Sequence, residues 1–275
     1  MLHRERDMTI HAHDAFHSFL TRHHARVGAI SPASVTLNDL IDDISPELKP
    51  TNFNAYHDTM MYAEMIERIV SSLVPDREWT LIDLGAGSSI PTLRALSRLS
   101  NHCLVRVIAV DLDREALATS QANVAAVGMD ARYTHVNEDI AQFVTRWNIE
   151  RNQIVVTNPP YMPVPEDARD PMFVPVDGGP DGARYVRAIL TMPMPPDTLV
   201  GIRWCSLTNP LQIIDIIEKA YDVVDIDARR ASFGVYAHAT RDYLETLRSR
   251  ELAVFEDDQE GGPCFTFMST ILRRK

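Results

Sequence analysis

From residue 79 onward the chain alternates short apolar runs with amphipathic ones, and at the first switch Leu81-Ile82-Asp83-Leu84 runs straight into Gly85-Ala86-Gly87. This alternation limits the fold more than any other feature. The pattern predicts strands over 79–84, 104–110, 133–136, 153–157, 199–205, 221–226 and 265–272. Between them it predicts helices over 91–99, 114–127 (stopped by Gly128), 140–147, 186–192, 211–219 and 240–250. Strands separated by helices pair in parallel, because the helix carries the chain back across the sheet. The expectation is an α/β fold with a parallel sheet and helices on both faces.

Residues 60–74 carry Met61, Met65, Ile66, Ile69, Val70 and Leu73 at helical spacing, which reads as a core helix ended by Pro75-Asp76. The polar and aromatic segment before it, Thr51 to Thr59, suits a lid over a ligand. The irregular, Pro- and Gly-rich stretch is 162–180. The division expected is a helical N-terminal extension over 1–50 and one domain over 51–275. His13 and His17 would share a helix face, but no HExxH pattern accompanies them, and they read as part of a solvated helix with no metal.

Composition excludes several classes. No apolar run approaches the roughly 20 residues that span a bilayer, and the first residues lack a signal-peptide core. A cytoplasmic protein with no membrane partner is expected. The net charge of −11 disfavours a nucleic-acid partner. Cys103, Cys205 and Cys264 are widely spaced and fit neither a disulfide framework nor a zinc site.

In an open α/β sheet, ligands bind beyond the carboxyl ends of the strands, where the strand order reverses. Gly85, Ala86 and Gly87 end the first predicted strand there, and glycine permits a tight turn with close backbone approach. Asp111, followed by Leu112, ends the second strand 24 positions after Gly87, a spacing at which a carboxylate can accept both ribose hydroxyls. The third glycine of a dinucleotide fingerprint is missing, because Ser88-Ser89-Ile90 follows the loop. Together with Asp83 ahead of the turn, this favours S-adenosylmethionine (SAM) over NAD, with Asp83 facing the ammonium of the methionine part directly or through water. Asp139-Ile140 follows the third strand, where the carboxylate would meet the adenine amino group or cap a helix.

The fourth strand leads into Asn158-Pro159-Pro160-Tyr161. Two prolines stiffen the backbone and remove amide donors. The Asn158 side-chain oxygen and the Pro159 carbonyl can then accept both hydrogens of one NH2 group, and Tyr161 can stack on a planar acceptor. At these residues the chain resembles the class I SAM-dependent methyltransferases, and more narrowly the HemK/PrmC group that methylates a glutamine side-chain amide in peptide release factors. Asp177-Gly178-Gly179-Pro180-Asp181-Gly182 and the segment Tyr56-His57-Asp58-Thr59 also resemble that group. The resemblance implies a Rossmann-like, seven-stranded sheet and a SAM site that includes Thr59. It also implies an acceptor with a planar NH2 group, on a protein or a small molecule. An adenine-N6 nucleic-acid methyltransferase, a NAD(P)-dependent oxidoreductase and a non-catalytic binding module are the competing readings.

Overall fold

The computed structural model describes residues 11–30, 41, 44, 45, 47–50, 56–74, 77–99, 104–258 and 262–275. The strands are β1 (Arg26–Ala29), β2 (Glu78–Leu84), β3 (Leu104–Asp111), β4 (Tyr133–Asn137), β5 (Gln153–Thr157), β6 (Leu199–Cys205), β7 (Tyr221–Ser232), β8 (Glu256–Asp258) and β9 (Gly262–Arg274). The helices are α1 (Ala12–Arg22), α2 (Tyr56–Ser71), α3 (Ile90–Ser97), α4 (Arg114–Ala126), α5 (Ile140–Arg146), α6 (Arg184–Thr191), α7 (Pro210–Ala220), α8 (Val235–Ala239) and α9 (Arg241–Ser249). The described strands form one sheet in the order β1-β7-β9-β6-β5-β2-β3-β4, with β8 beside β9. Setting aside β1 and β8, the remaining seven strands run 3-2-1-4-5-7-6 in chain order, counted from the β4 edge. The expected mixed-layer, Rossmann-like fold is present.

Two features depart from the expected parallel sheet. β9 runs antiparallel to both β6 and β7. It follows β8 as an antiparallel partner, so no crossover helix intervenes to restore the common direction. The segment 1–50 was expected to be helical, yet β1 pairs in parallel with β7 through Arg26↔Asp227 to Ala29↔Arg230. β7 also extends six residues beyond the predicted end. Its distal half alternates Asp227, Arg229 and Arg230 with small residues, which hides a strand from a hydropathy reading.

Side chains alternate across the sheet, and the two faces have separate cores. Leu81, Val107, Ile154 and Val156 pack with Met65, Ile66, Ile69 and Val70 of α2. Ile82, Leu84, Val155 and Ile202 face the other way, toward Phe143 of α5, Val186 and Ile189 of α6, and Ile213 and Ile217 of α7. Helix ends carry their own signals. Asp113 caps α4 by accepting the Glu115 N–H at 2.8 Å, and Gly128, at φ +67°, stops it. Proline opens α7 at Pro210.

α1 belongs to the second core. Phe16 and Phe19 are buried, and both meet Trp204 of β6 edge-on, with ring centroids 6.1 and 6.4 Å apart. Trp204 donates its indole N–H to Thr270 of β9 at 2.9 Å. Phe19→Ala should therefore cost about 3–5 kcal/mol in urea unfolding. A loss below about 1 kcal/mol, the range of surface substitutions, would show that α1 is not part of the core.

Candidate functional site

β2 turns sharply after Leu84. Gly85 and Gly87 adopt left-handed backbone, at φ +78° and +53°. The Gly85 and Ala86 N–H groups both donate to the Val110 carbonyl of β3, at 2.8 and 3.0 Å. A Cβ on Gly85 would stand 3.5 Å from Ile140 Cδ1 and 3.7 Å from the Asn158 carbonyl oxygen. The turn thus adjoins both the start of α5 and the loop after β5. A Cβ on Gly87 would meet nothing within 4 Å, so the loop opens into free space there.

Asp111 lies at the mouth of this space. Its Oδ2 accepts the Gly87 N–H at 2.8 Å and its Oδ1 the Asp113 N–H at 2.9 Å. Burial raises its pKa, and the two backbone donors oppose the rise. Leu112 beside it is exposed. Asp139 spends one oxygen on the α5 cap, accepting Ala141 N–H at 2.8 Å and Gln142 N–H at 3.2 Å. Its second oxygen accepts from the Tyr185 hydroxyl at 3.2 Å. The capping role is thus realised, with one oxygen still directed elsewhere.

Asp83 differs from its expected placement at the open loop. It is fully buried, and its two oxygens accept the hydroxyls of Tyr62 and Thr92, each at 2.5 Å. It is the third residue from Leu81 on a strand of period two, so it faces α2 and α3 beneath the loop. Any influence on a ligand passes through those neighbours.

The second half of the site gathers around Asp58, in the first turn of α2. Asp58 Oδ2 accepts the Asn158 Nδ2–H at 2.6 Å, and Oδ1 accepts the Tyr161 hydroxyl at 2.6 Å. Oδ1 also pairs with the guanidinium of Arg203, a fully buried residue of β6. Arg203 further donates to Ser269 Oγ at 2.8 Å and lies over the Phe267 ring, 5.6 Å from its centroid. Burial acts to lower the Arg203 pKa, but Asp58 and Tyr161 outweigh it and the net shift is upward. Asn158 Oδ1, by contrast, is buried and has no hydrogen-bond partner among the described residues. Buried acceptors rarely stay unpaired, because the desolvation cost of about 1–3 kcal/mol is then uncompensated.

Tyr161 is buried as well, with its ring edge toward Phe267 at 6.5 Å. Burial, then the charge of Asp58, raises its pKa well above the ordinary phenol value. Its hydroxyl is thus committed to Asp58 and its ring is largely enclosed. Pro159 is buried and Pro160 half-buried, and Thr59 lies half-buried one position after Asp58. Residues 51–55, the first part of the expected lid, lie outside the described residues, as does Cys103. Cys205 and Cys264 are buried free thiols, and burial pushes Cys205 up to about 12, so neither reads as a nucleophile.

The glycine-rich run 177–182 holds this loop from behind. Met162 N–H donates to Val176 O and Gly178 N–H to Met162 O, each at 2.9 Å. A Cβ on Gly178 would fall 2.7 Å from Tyr161 Cα, and one on Gly182 would fall 2.6 Å from the Tyr161 carbonyl oxygen. Only glycine lets the two backbones touch. Thr208 donates to that same Tyr161 carbonyl at 3.0 Å, while Asp181 accepts Asn209 Nδ2–H at 2.8 Å.

Asp58, Arg203, Tyr62 and Thr92 were not singled out from sequence. Arg203 left one signal, a lone charge in the apolar run 199–205, which demands a buried carboxylate. Nothing local says that the carboxylate is Asp58.

Parts of the chain are similar to known proteins. The family model described as "Conserved hypothetical protein 95" matches residues 55–168. The release factor glutamine methyltransferase of Moorella thermoacetica is 31% identical over 132 residues, covering 46% of this chain and 44% of its own. Over that stretch the chain resembles the HemK/PrmC methyltransferases. The tRNA1(Val) (adenine(37)-N6)-methyltransferase of Citrobacter koseri is 35% identical over 81 residues, covering 30% of this chain and 32% of its own. This chain thus matches less than half the length of either relative. The solved E. cuniculi Mtq2–Trm112 complex, responsible for methylating the eRF1 termination factor, superposes with TM-score 0.44 and 16% identity. It covers 79% of this chain and 97% of that one. A relative that acts on tRNA removes support from the exclusion of nucleic acid based on net charge. Among the described residues no helix is long and apolar enough to cross a membrane.

Burial pushes Asp83 from 3.8 up to about 6. Folding then favours its neutral form, so its contribution is fully present below about pH 4 and is lost as pH rises through about 6. A rise of this size corresponds to about 3 kcal/mol. Asp83→Asn should flatten that part of the stability profile, measured as urea midpoints between pH 4 and 7. An unchanged slope would show that Asp83 does not titrate there.

Proposed function

We propose that the chain is a SAM-dependent N-methyltransferase acting on a planar NH2 nitrogen. The observation that carries this is Asn158, whose buried Oδ1 has no hydrogen-bond partner among the described residues while its Nδ2 is held by Asp58. Asp58, paired with Arg203, accepts at this contact, so it holds the Nδ2 end of the amide and leaves the oxygen for another donor. An NH2 hydrogen is the donor that this oxygen needs. The Pro159 carbonyl, on a backbone stiffened by two prolines, is the acceptor for the second hydrogen.

The residues beside this pocket fit the donor. Gly85, Ala86 and Gly87 leave space for backbone approach, Asp111 is sited for the ribose hydroxyls, and Asp139 with Ile140 is sited for adenine. Thr59, Leu112 and Asp83 complete the set read from sequence, with Asp83 acting through Tyr62 and Thr92. When bound, SAM supplies an electrophilic methyl group. The chain then contributes alignment: Asn158 and Pro159 orient the nitrogen, and Tyr161 and Pro160 wall the pocket. Holding reactants in a near-attack geometry can supply several kcal/mol of rate without a covalent nucleophile. The hydroxyls of Tyr62, Thr92 and Tyr161 are spent on Asp83 and Asp58, so the acceptor nitrogen itself takes the methyl group, breaking the donor's S–CH3 bond and losing one proton to solvent.

The favoured acceptor is a glutamine-type amide on a protein, or an amide or guanidino group of a small molecule. The resemblance to the release-factor enzymes supports this. Adenine N6 in RNA is the second reading, supported by the tRNA-modifying relative. Labelled SAM offered with a release factor, a tRNA pool and guanidino amino acids, followed by mass spectrometry of the products, discriminates these. Label in tRNA alone would replace the amide reading, and label in none of them would remove both.

Asn158→Ala should leave SAM affinity nearly unchanged but depress kcat by about 100-fold or more through lost alignment. Calorimetry and steady-state rates measure the two effects, and a fully active variant would take Asn158 out of the mechanism. Asp111→Ala should weaken SAM by about 1.5–3 kcal/mol, the worth of charge-assisted bonds. Unchanged affinity in calorimetry, or binding of NAD in place of SAM, would overturn the ribose assignment.

A further inference from the structure

Away from this site, the surface side of α1 carries a second group of ligating side chains. His13 and His17 are four positions apart and share one face of the helix. β8 brings Glu256 to the same place. His13 Nε2 lies 3.3 Å and His17 Nε2 lies 3.4 Å from Glu256 Oε1. One ligand atom from each of the three falls within 4.8 Å of the others.

We propose that His13, His17 and Glu256 form a binding site for a divalent transition metal of the zinc type, which clamps α1 to β8. Zinc bonds of about 2.0–2.1 Å in a tetrahedron place neighbouring ligand atoms about 3.4 Å apart. Both His–Glu separations already match that edge. The two imidazoles lie with ring centroids 4.4 Å apart and planes at 50°, and their ligand atoms fall within 4.8 Å of each other. Two imidazoles and one carboxylate favour zinc, cobalt or nickel over magnesium or calcium.

The surroundings suit the role. Asp14 Oδ1 lies 3.5 Å from His13 Nδ1, on the ring nitrogen that would not bind metal. Arg230 pairs with Glu256 Oε2 at 3.2 Å and leaves Oε1 toward the histidines. Three protein ligands leave a fourth position to water. The site lies on the outer side of the helix whose Phe16 and Phe19 are seated on Trp204, next to Arg203 in β6. A metal there would fasten the layer behind the Asp58 network. Direct His–Glu256 contacts without an ion are the metal-free explanation for the same geometry.

The test uses the full chain, freed of metal with EDTA, and titrates it with zinc chloride by calorimetry and with cobalt(II) by visible absorption. One zinc per chain, a higher Tm and a cobalt band are expected. His17→Gln and Glu256→Gln, each checked for native circular dichroism, should weaken zinc by at least about 10-fold and lose the cobalt band. Binding of equal strength in both variants places the metal elsewhere and overturns the proposal. Absence of heat and of any Tm shift in the unmodified chain overturns it too, leaving the ion pairs alone.

Discussion

The buried pairing of Asp58 with Arg203 is the interaction on which the site depends. A guanidinium enclosed in the middle of β6 is tolerable only with a carboxylate against it, and removing one partner of such a pair typically costs about 3–5 kcal/mol. Asp58 answers that need from α2, and in doing so it collects the Asn158 amide and the Tyr161 hydroxyl. A charge required by the core therefore fixes the orientation of the polar groups at the surface of the pocket. Asn158 is held by one end, and its other end is left with a hydrogen-bonding need.

The sheet places this arrangement where a ligand can use it. β2 lies between β3 and β5, the switch point beyond whose carboxyl ends ligands bind in open α/β sheets. The Gly85–Gly87 turn follows β2, and the Asn158–Tyr161 loop follows its neighbour β5. Both are braced by backbone contact. Val110 receives two N–H groups from the glycine turn, and Gly178 and Gly182 lie directly against Tyr161. The rigidity of the pocket thus comes from close-packed backbone, which glycine alone permits at those positions.

Much of the architecture was legible because strands buried on both faces announce themselves as apolar runs. Strands 153–157 and 199–205 coincide with β5 and β6 residue for residue. β1 escaped because Arg26–Ala29 has no apolar pattern and gains its place only by bonding to β7. The reversed direction of β9 escaped because composition along one strand carries no information about its neighbour's direction. In the site, the residues of the two loops were readable as contiguous motifs. Tyr161 looked like an open ring and Asp83 like an open carboxylate, since local sequence does not report burial.

The sequence by itself determined the layered α/β fold, the glycine turn after the first core strand and the Asn-Pro-Pro-Tyr loop after the fourth. Hydropathy period, turn chemistry and proline stiffness are properties of adjacent residues, and they act before any distant contact forms. Tertiary structure alone decided that Asp58 answers Arg203, that Asp58 holds the Asn158 amide, and that Glu256 meets His13 and His17. Those pairings join residues 145, 100 and about 240 positions apart. The first exists because folding brings Asp58 and Arg203 into one low-dielectric space, where each must find a partner, and the last because β8 lies beside the exposed face of α1.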